Sequence, residues 1–196
     1  NLIDQPKGTY AGEDVEPFAD LGLDKDYGVN ATGFQYLYDV RRDPHPSIMS
    51  LSKDQPSVTY KVVDTWHVLK QPKDVRLRVN LISPPGEVVL AHGDPPQNKA
   101  GNPRRLQYIL LPHQGNQTTY VSVIEPYVGA RTISKIERKD DGDMVILTVT
   151  TASGRIDTIL SALKPTQMEI SGLAISGRFA LITEEDGKTE ARLVVP

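Results

Sequence analysis

Residues 75–82 read VRLRVNLI. Successive side chains of a strand point to opposite faces, so Val75, Leu77, Val79 and Leu81 share one side and Arg76, Arg78, Asn80 and Ile82 the other. The pattern predicts a strand with one buried face and one mostly wet face, as antiparallel sheets permit.

The same period recurs on either side. FQYLYDVR at 34–41 puts Phe34, Tyr36, Tyr38 and Val40 on one strand face, and SVTYKVVD at 57–64 is β-branched and alternating. A brief strand is expected at 48–51, beyond the Pro44-His45-Pro46 loop. Further strands are expected at 87–91, 106–111, 118–125, 131–138, 143–151, 155–160, 167–170, 178–183 and 191–195. Pro84-Pro85-Gly86, Asp141-Gly142, Ser153-Gly154 and Asp186-Gly187 supply turn residues at hairpin spacing. No amphipathic stretch of helical period reaches ten residues. The fold class is therefore all-β, an antiparallel β-sandwich with a smaller terminal sheet.

Residues 1–33, punctuated by Gly, Pro and Asp, read as an extended lead-in that packs on the sandwich, and residues 34–196 form the sandwich region. Pro126 removes a ladder donor and is expected to end the strand at 118–125. A sub-boundary is expected near 128–142, where a second, smaller sheet begins.

The chain has 196 residues, enough for one large domain or a domain with an appendage. Its 22 basic residues nearly balance 25 acidic ones, for a formal net charge of -3, so no polyanion-gripping surface of the nucleic-acid type is indicated. No stretch approaches the roughly 18 apolar residues of a membrane helix, so neither nucleic acid nor membrane is an expected partner. The chain lacks cysteine, which excludes disulfides and cysteine metal sites or nucleophiles.

The loop at 91–105, AHGDPPQNKAGNPRR, is long for a hairpin connection, and long structureless loops in compact domains tend to carry function. His92 stands two residues before Asp94, a spacing from which a carboxylate can orient an imidazole. Asp94 before two prolines also has a structural reading, as a turn acceptor ahead of a stiffened segment. Asn102, Arg104 and Arg105 offer donors suited to sugar hydroxyls and carboxylates. Trp66 stands at a strand end beside His67, where its ring is free to pack on the CH face of a sugar. Trp66, His92, Asp94, Asn102, Arg104 and Arg105 are accordingly the candidate carbohydrate-binding residues. Tyr36, Tyr38, Tyr108, Tyr120 and Tyr127 are further aromatic candidates, most of them expected in the core.

His45, His67, His92 and His113 lie on four separate stretches with no HxH or HExxH spacing, which assigns no metal site and no cofactor. No catalytic constellation is assigned either. Asp140-Asp141-Gly142-Asp143 resembles half of a calcium loop but lacks the distant bidentate Glu and reads as a hairpin turn. Asn30-Ala31-Thr32 and Asn116-Gln117-Thr118 are glycosylation triplets that matter only in a eukaryotic secretory setting.

Taken together, GTYAGEDV at 8–15 with DLGLD after it, GFQYLYDVRR at 33–42, VRLRVNLI, AHGDPPQNKAGNPRRLQYILL at 91–111, VSVIEPY at 121–127, RIDTIL and ISGRFALITEEDG at 175–187 resemble the C-terminal β region of heparinase II/III-like polysaccharide lyases. They span nearly the whole chain in consistent order. The resemblance implies a secreted or periplasmic bacterial protein acting on an acidic, uronic-acid-containing polysaccharide such as a glycosaminoglycan. In such lyases an α/α-toroid precedes the sandwich and supplies the groups that abstract the proton α to the uronic carboxylate. No such toroid lies in this sequence. Nor do the family's sandwich histidines or the zinc site of some members match any histidine of the chain, so no catalytic or metal residue is carried over. The implied role is to complete the cleft and buttress the toroid, with this chain inactive alone. An alternative from another class is a non-catalytic carbohydrate-binding β-sandwich module using Trp66 and the Asn/Arg-rich loop.

Overall fold

The structure is a computed structural model and describes residues 2–3, 19–20, 37–43, 57–62, 68, 70–71, 73–82, 86–93 and 106–196. Among these every paired strand is antiparallel and no residue is helical, so the chain is all-β, as the alternation predicts. They divide into two compact units, the first ending at Gly129 and the second running from Ala130 to Pro196.

The first unit contains β1 (Leu2–Ile3), β2 (Ala19–Asp20), β3 (Leu37–Asp43), β4 (Ser57–Val62), β5 (Val75–Leu81), β6 (Val88–Gly93), β7 (Leu106–Leu110) and β8 (Ser122–Val128). They form two four-stranded sheets, ordered β1-β4-β5-β8 and β2-β3-β6-β7. Hairpins thus alternate between the sheets, and the lead-in contributes a two-residue strand to an edge of each. Val58, Tyr60 and Leu81 from one sheet pack with Val88 and Leu90 from the other, with Val79, Ile109 and Leu111 at the margin. That shared cluster makes the unit a sandwich.

Two expectations need correction in this unit. The face of β5 read as mostly wet is dry over its second half: Arg78 and Asn80 are each 2% exposed and Ile82 just beyond the strand is buried, while Arg76, paired with Asp74, stays partly exposed. In the other sheet β6 is likewise buried on both faces, since Val89 and Ala91 pack with Tyr108 and Leu110 on the side away from Val88 and Leu90. Pro126 does not end its strand either: β8 begins four residues later than expected and runs through Pro126, opposite Leu77, to Val128. β8 is an edge strand in the described sheet, where a missing N–H costs least.

The second unit is a meander of β9 (Ile133–Asp141), β10 (Met144–Thr151), β11 (Ile156–Ile170), β12 (Leu173–Glu185) and β13 (Lys188–Val195), ordered β13-β12-β11-β10-β9. The strands expected at 155–160 and 167–170 are one strand with a register shift between Ser161 and Thr166. Pro165 falls inside that irregularity, the place in a sheet where proline is tolerated. Asp186-Gly187 makes a two-residue turn with both φ values positive, 52° and 72°, and Ser171-Gly172 repeats it at 50° and 79°. This is the geometry whose twist suits a tight hairpin.

The irregularity bends the long β11–β12 hairpin back on itself. Ile175 and Ala180 have opposite parity on β12, yet both join one cluster with Leu160, Ile170 and Ile182. Gly177 sits at this bend, where an added Cβ would run into the Val195 carbonyl of β13. No helix among the described residues is long and apolar enough to cross a membrane.

Candidate functional site

The most unusual chemistry of the first unit lies on the polar side of β4, β5 and β8. Register pairs Ser57 with Asn80, Thr59 with Arg78, and Arg78 with Glu125. Directly opposed residues share a face with Cβ atoms about 5 Å apart. All five side chains are buried, Arg78 and Glu125 to 2% exposure. Arg78 Nε donates to Asn80 Oδ1 at 3.0 Å, and Asn80 Nδ2 donates to the Val123 carbonyl at 3.1 Å. Burying a charge is costly unless it is compensated, and the register sets the guanidinium opposite the carboxylate. Within this layer Ser57 Oγ, Thr59 Oγ1, Arg78 Nη1 and Glu125 Oε2 are buried atoms that make no hydrogen bond. The layer brings one cation, one anion, an amide and two hydroxyls into a dry environment on three strands. The bonds from Arg78 through Asn80 to the Val123 carbonyl tie β5 to β8 in this register.

The sequence pointed elsewhere. Of the six candidate carbohydrate-binding residues, Trp66, Asp94, Asn102, Arg104 and Arg105 lie outside the described residues. His92 is described, on β6 opposite Tyr38 of β3 and Gln107 of β7, and is 7% exposed. It shares strand parity with Leu90 and Val88 of the sandwich core, so it continues the inner face rather than standing as a solvated loop residue. His45 and His67 lie outside the described residues, as do Tyr36 and the strand expected at 48–51. His113 is exposed on the connection between β7 and β8.

Among the aromatics, Tyr60 is core while Tyr120 is 51% exposed. The Tyr120 hydroxyl donates to the Leu111 carbonyl at 2.8 Å, tying together the two ends of the β7–β8 connection.

In the second unit, Asp157 Oδ1 accepts from Arg155 Nη2 at 3.0 Å and from the buried Thr183 hydroxyl at 2.7 Å. Its hydrogen bond and charge hold the Arg155 guanidinium above its ordinary pKa. Asp140–Asp143 is a hairpin turn, with Asp141 pairing Met144 across Gly142 and Asp143. Among the described residues no group of three or more His, Cys, Asp or Glu side chains is placed to hold a metal ion.

Sequence reasoning missed the Arg78–Glu125 layer because it took charge on a strand to mean water. The available signal was that both charges sit mid-strand between β-branched and aliphatic residues on neighbouring ladders. No family model, curated protein or solved structure matches the chain.

Proposed function

We propose that the chain is the β region of a heparinase II/III-like polysaccharide lyase acting on uronic-acid-containing polysaccharides. In that reaction the proton α to the uronate carboxylate leaves to a base, the β-placed glycosidic oxygen departs, and a double bond forms between the two carbons. The α/α-toroid that carries the base lies outside these residues, and this chain completes and buttresses its cleft. The observation that carries the reading is the ordered series of stretches from GTYAGEDV at 8–15 to ISGRFALITEEDG at 175–187. Supporting it is the order of the units, a sandwich followed by a smaller antiparallel sheet. A secreted or periplasmic location and an acidic polysaccharide partner go with the same reading.

The test follows the absorbance of the unsaturated uronyl product. The isolated chain should give no turnover on heparan, chondroitin, alginate or ulvan, whereas the polypeptide extended to include a toroid should turn over one of them and lose that activity when residues 1–196 are removed. Turnover by the isolated chain, or a coding sequence with no toroid in the same protein or its assembly, overturns the proposal.

A further inference from the structure

Between Arg105 and Glu125 the chain carries no Asp, Glu, Lys or Arg, although 24% of its residues are of these types. This uncharged run includes the whole β7–β8 connection, which carries HQGNQTTY at 113–120. His113, Gln114, Asn116, Gln117 and Tyr120 are exposed there. Exposed loops are ordinarily rich in charge for solubility, so a solvated surface of amides, hydroxyls and imidazole alone calls for an explanation.

One hydrogen bond braces it, and a ring crowds its glycine. The Tyr120 hydroxyl is engaged with the Leu111 carbonyl at 2.8 Å, so the ring is anchored at its polar end while about half the residue remains exposed. The His113 imidazole lies over Gly115, its Nε2 standing 3.0 Å from where a Cβ on that glycine would be. A braced loop loses less entropy on binding than a free one.

We infer that the β7–β8 connection is a binding subsite for a neutral, hydroxyl-rich sugar residue, with Tyr120 as the stacking ring and Asn116, Gln114 and Gln117 as hydrogen-bonding groups. An aromatic face packs against the CH groups of a pyranose, and carboxamides both donate to and accept from hydroxyls. A uronate or sulfated residue would instead require a cation, and none is available in this run. The inference deepens the lyase reading: alternating polysaccharides contain a second sugar beside the uronate, and this subsite would hold it.

The test is calorimetric titration of the chain with neutral gluco-, manno- and xylo-oligosaccharides and with an oligouronate of matched length, at low and high salt. At least one neutral oligosaccharide should bind with a Kd unchanged by salt, since no ion pair contributes. Tyr120→Ala should weaken that binding roughly tenfold or more, and Asn116→Ala with Gln117→Ala, on exposed side chains, should weaken it with the melting temperature unchanged. Tyr120→Phe, which keeps the ring but loses the brace, should fall between. Binding that survives Tyr120→Ala and the amide pair, absence of neutral-sugar binding, or salt-sensitive binding of the uronate alone would each overturn the subsite. The lyase reading is tested separately, by turnover of the toroid-containing polypeptide, so the two can fail independently.

Discussion

The Ser171 hydroxyl donates to Glu184 Oε1 at 2.5 Å across a sequence separation of 13 residues. An unbent β12 would hold the hairpin tip more than about 30 Å from that carboxylate. The bond closes the fold-back of the β11–β12 hairpin over its own sheet, with Ile170 and Ile175 seated on Leu160, Ala180 and Ile182.

Ser171→Ala should destabilise the second unit by about 1–2 kcal/mol through the lost bond to a charged acceptor, because the strain of a Cβ at φ 50° is common to serine and alanine. Ser171→Gly loses the bond but relaxes the backbone, so it should cost less. Urea midpoints of the two variants compare the terms, and an equal loss would show that the bond carries all of it.

Gly177→Ala tests the bend itself. The new methyl meets backbone, which cannot rotate away, so the variant should lose about 1–3 kcal/mol and release β13 from β12. Hydrogen exchange at residues 188–195 reads this out; protection like that of the parent chain would contradict it.

Arg78 and Glu125 should behave as a unit. Either Arg78→Met or Glu125→Leu alone strands a buried charge and should cost about 3–5 kcal/mol, whereas the double substitution should recover most of that loss. Additive losses in a double-mutant cycle would show that the two charges are satisfied separately.

Pro126→Val should leave the stability of the sandwich within about 1 kcal/mol, because the proline already lies in a continuous ladder on an edge strand. It restores a donor to that strand, so the variant is expected to self-associate more readily. Light scattering against concentration measures the change.

The strands were legible because each ladder preserves a period of two over enough residues to declare itself, VRLRVNLI and DMVILTVTT above all. Where the sequence misled, the deciding contacts were long-range. Arg78 and Asn80 look wet until β8 brings Glu125 alongside them. Residues 161–166, with Pro165, look like a loop between two strands until pairing with β12 continues on both sides. Pro126 looks like a terminator until β5 supplies partners beyond it. Of the candidate binding residues only His92 is described, and its place on the inner face of β6 was hidden because Asp94 drew attention to the loop. Tyr120 was legible as an aromatic but not as an exposed one, since exposure depends on how the β7–β8 connection is braced.

The two units differ in how far along the chain each strand must search for its partner. In the second, every strand pairs only with its immediate neighbour in sequence, whereas the first joins β3 to β6, β5 to β8 and β1 to β4 across intervening strands. Loop closure makes distant pairings slow and nearby ones fast. Of the two units, the one that leaves the ribosome later is therefore the one able to complete its structure sooner, and the sandwich synthesised before it must wait for β8 before both of its sheets are whole.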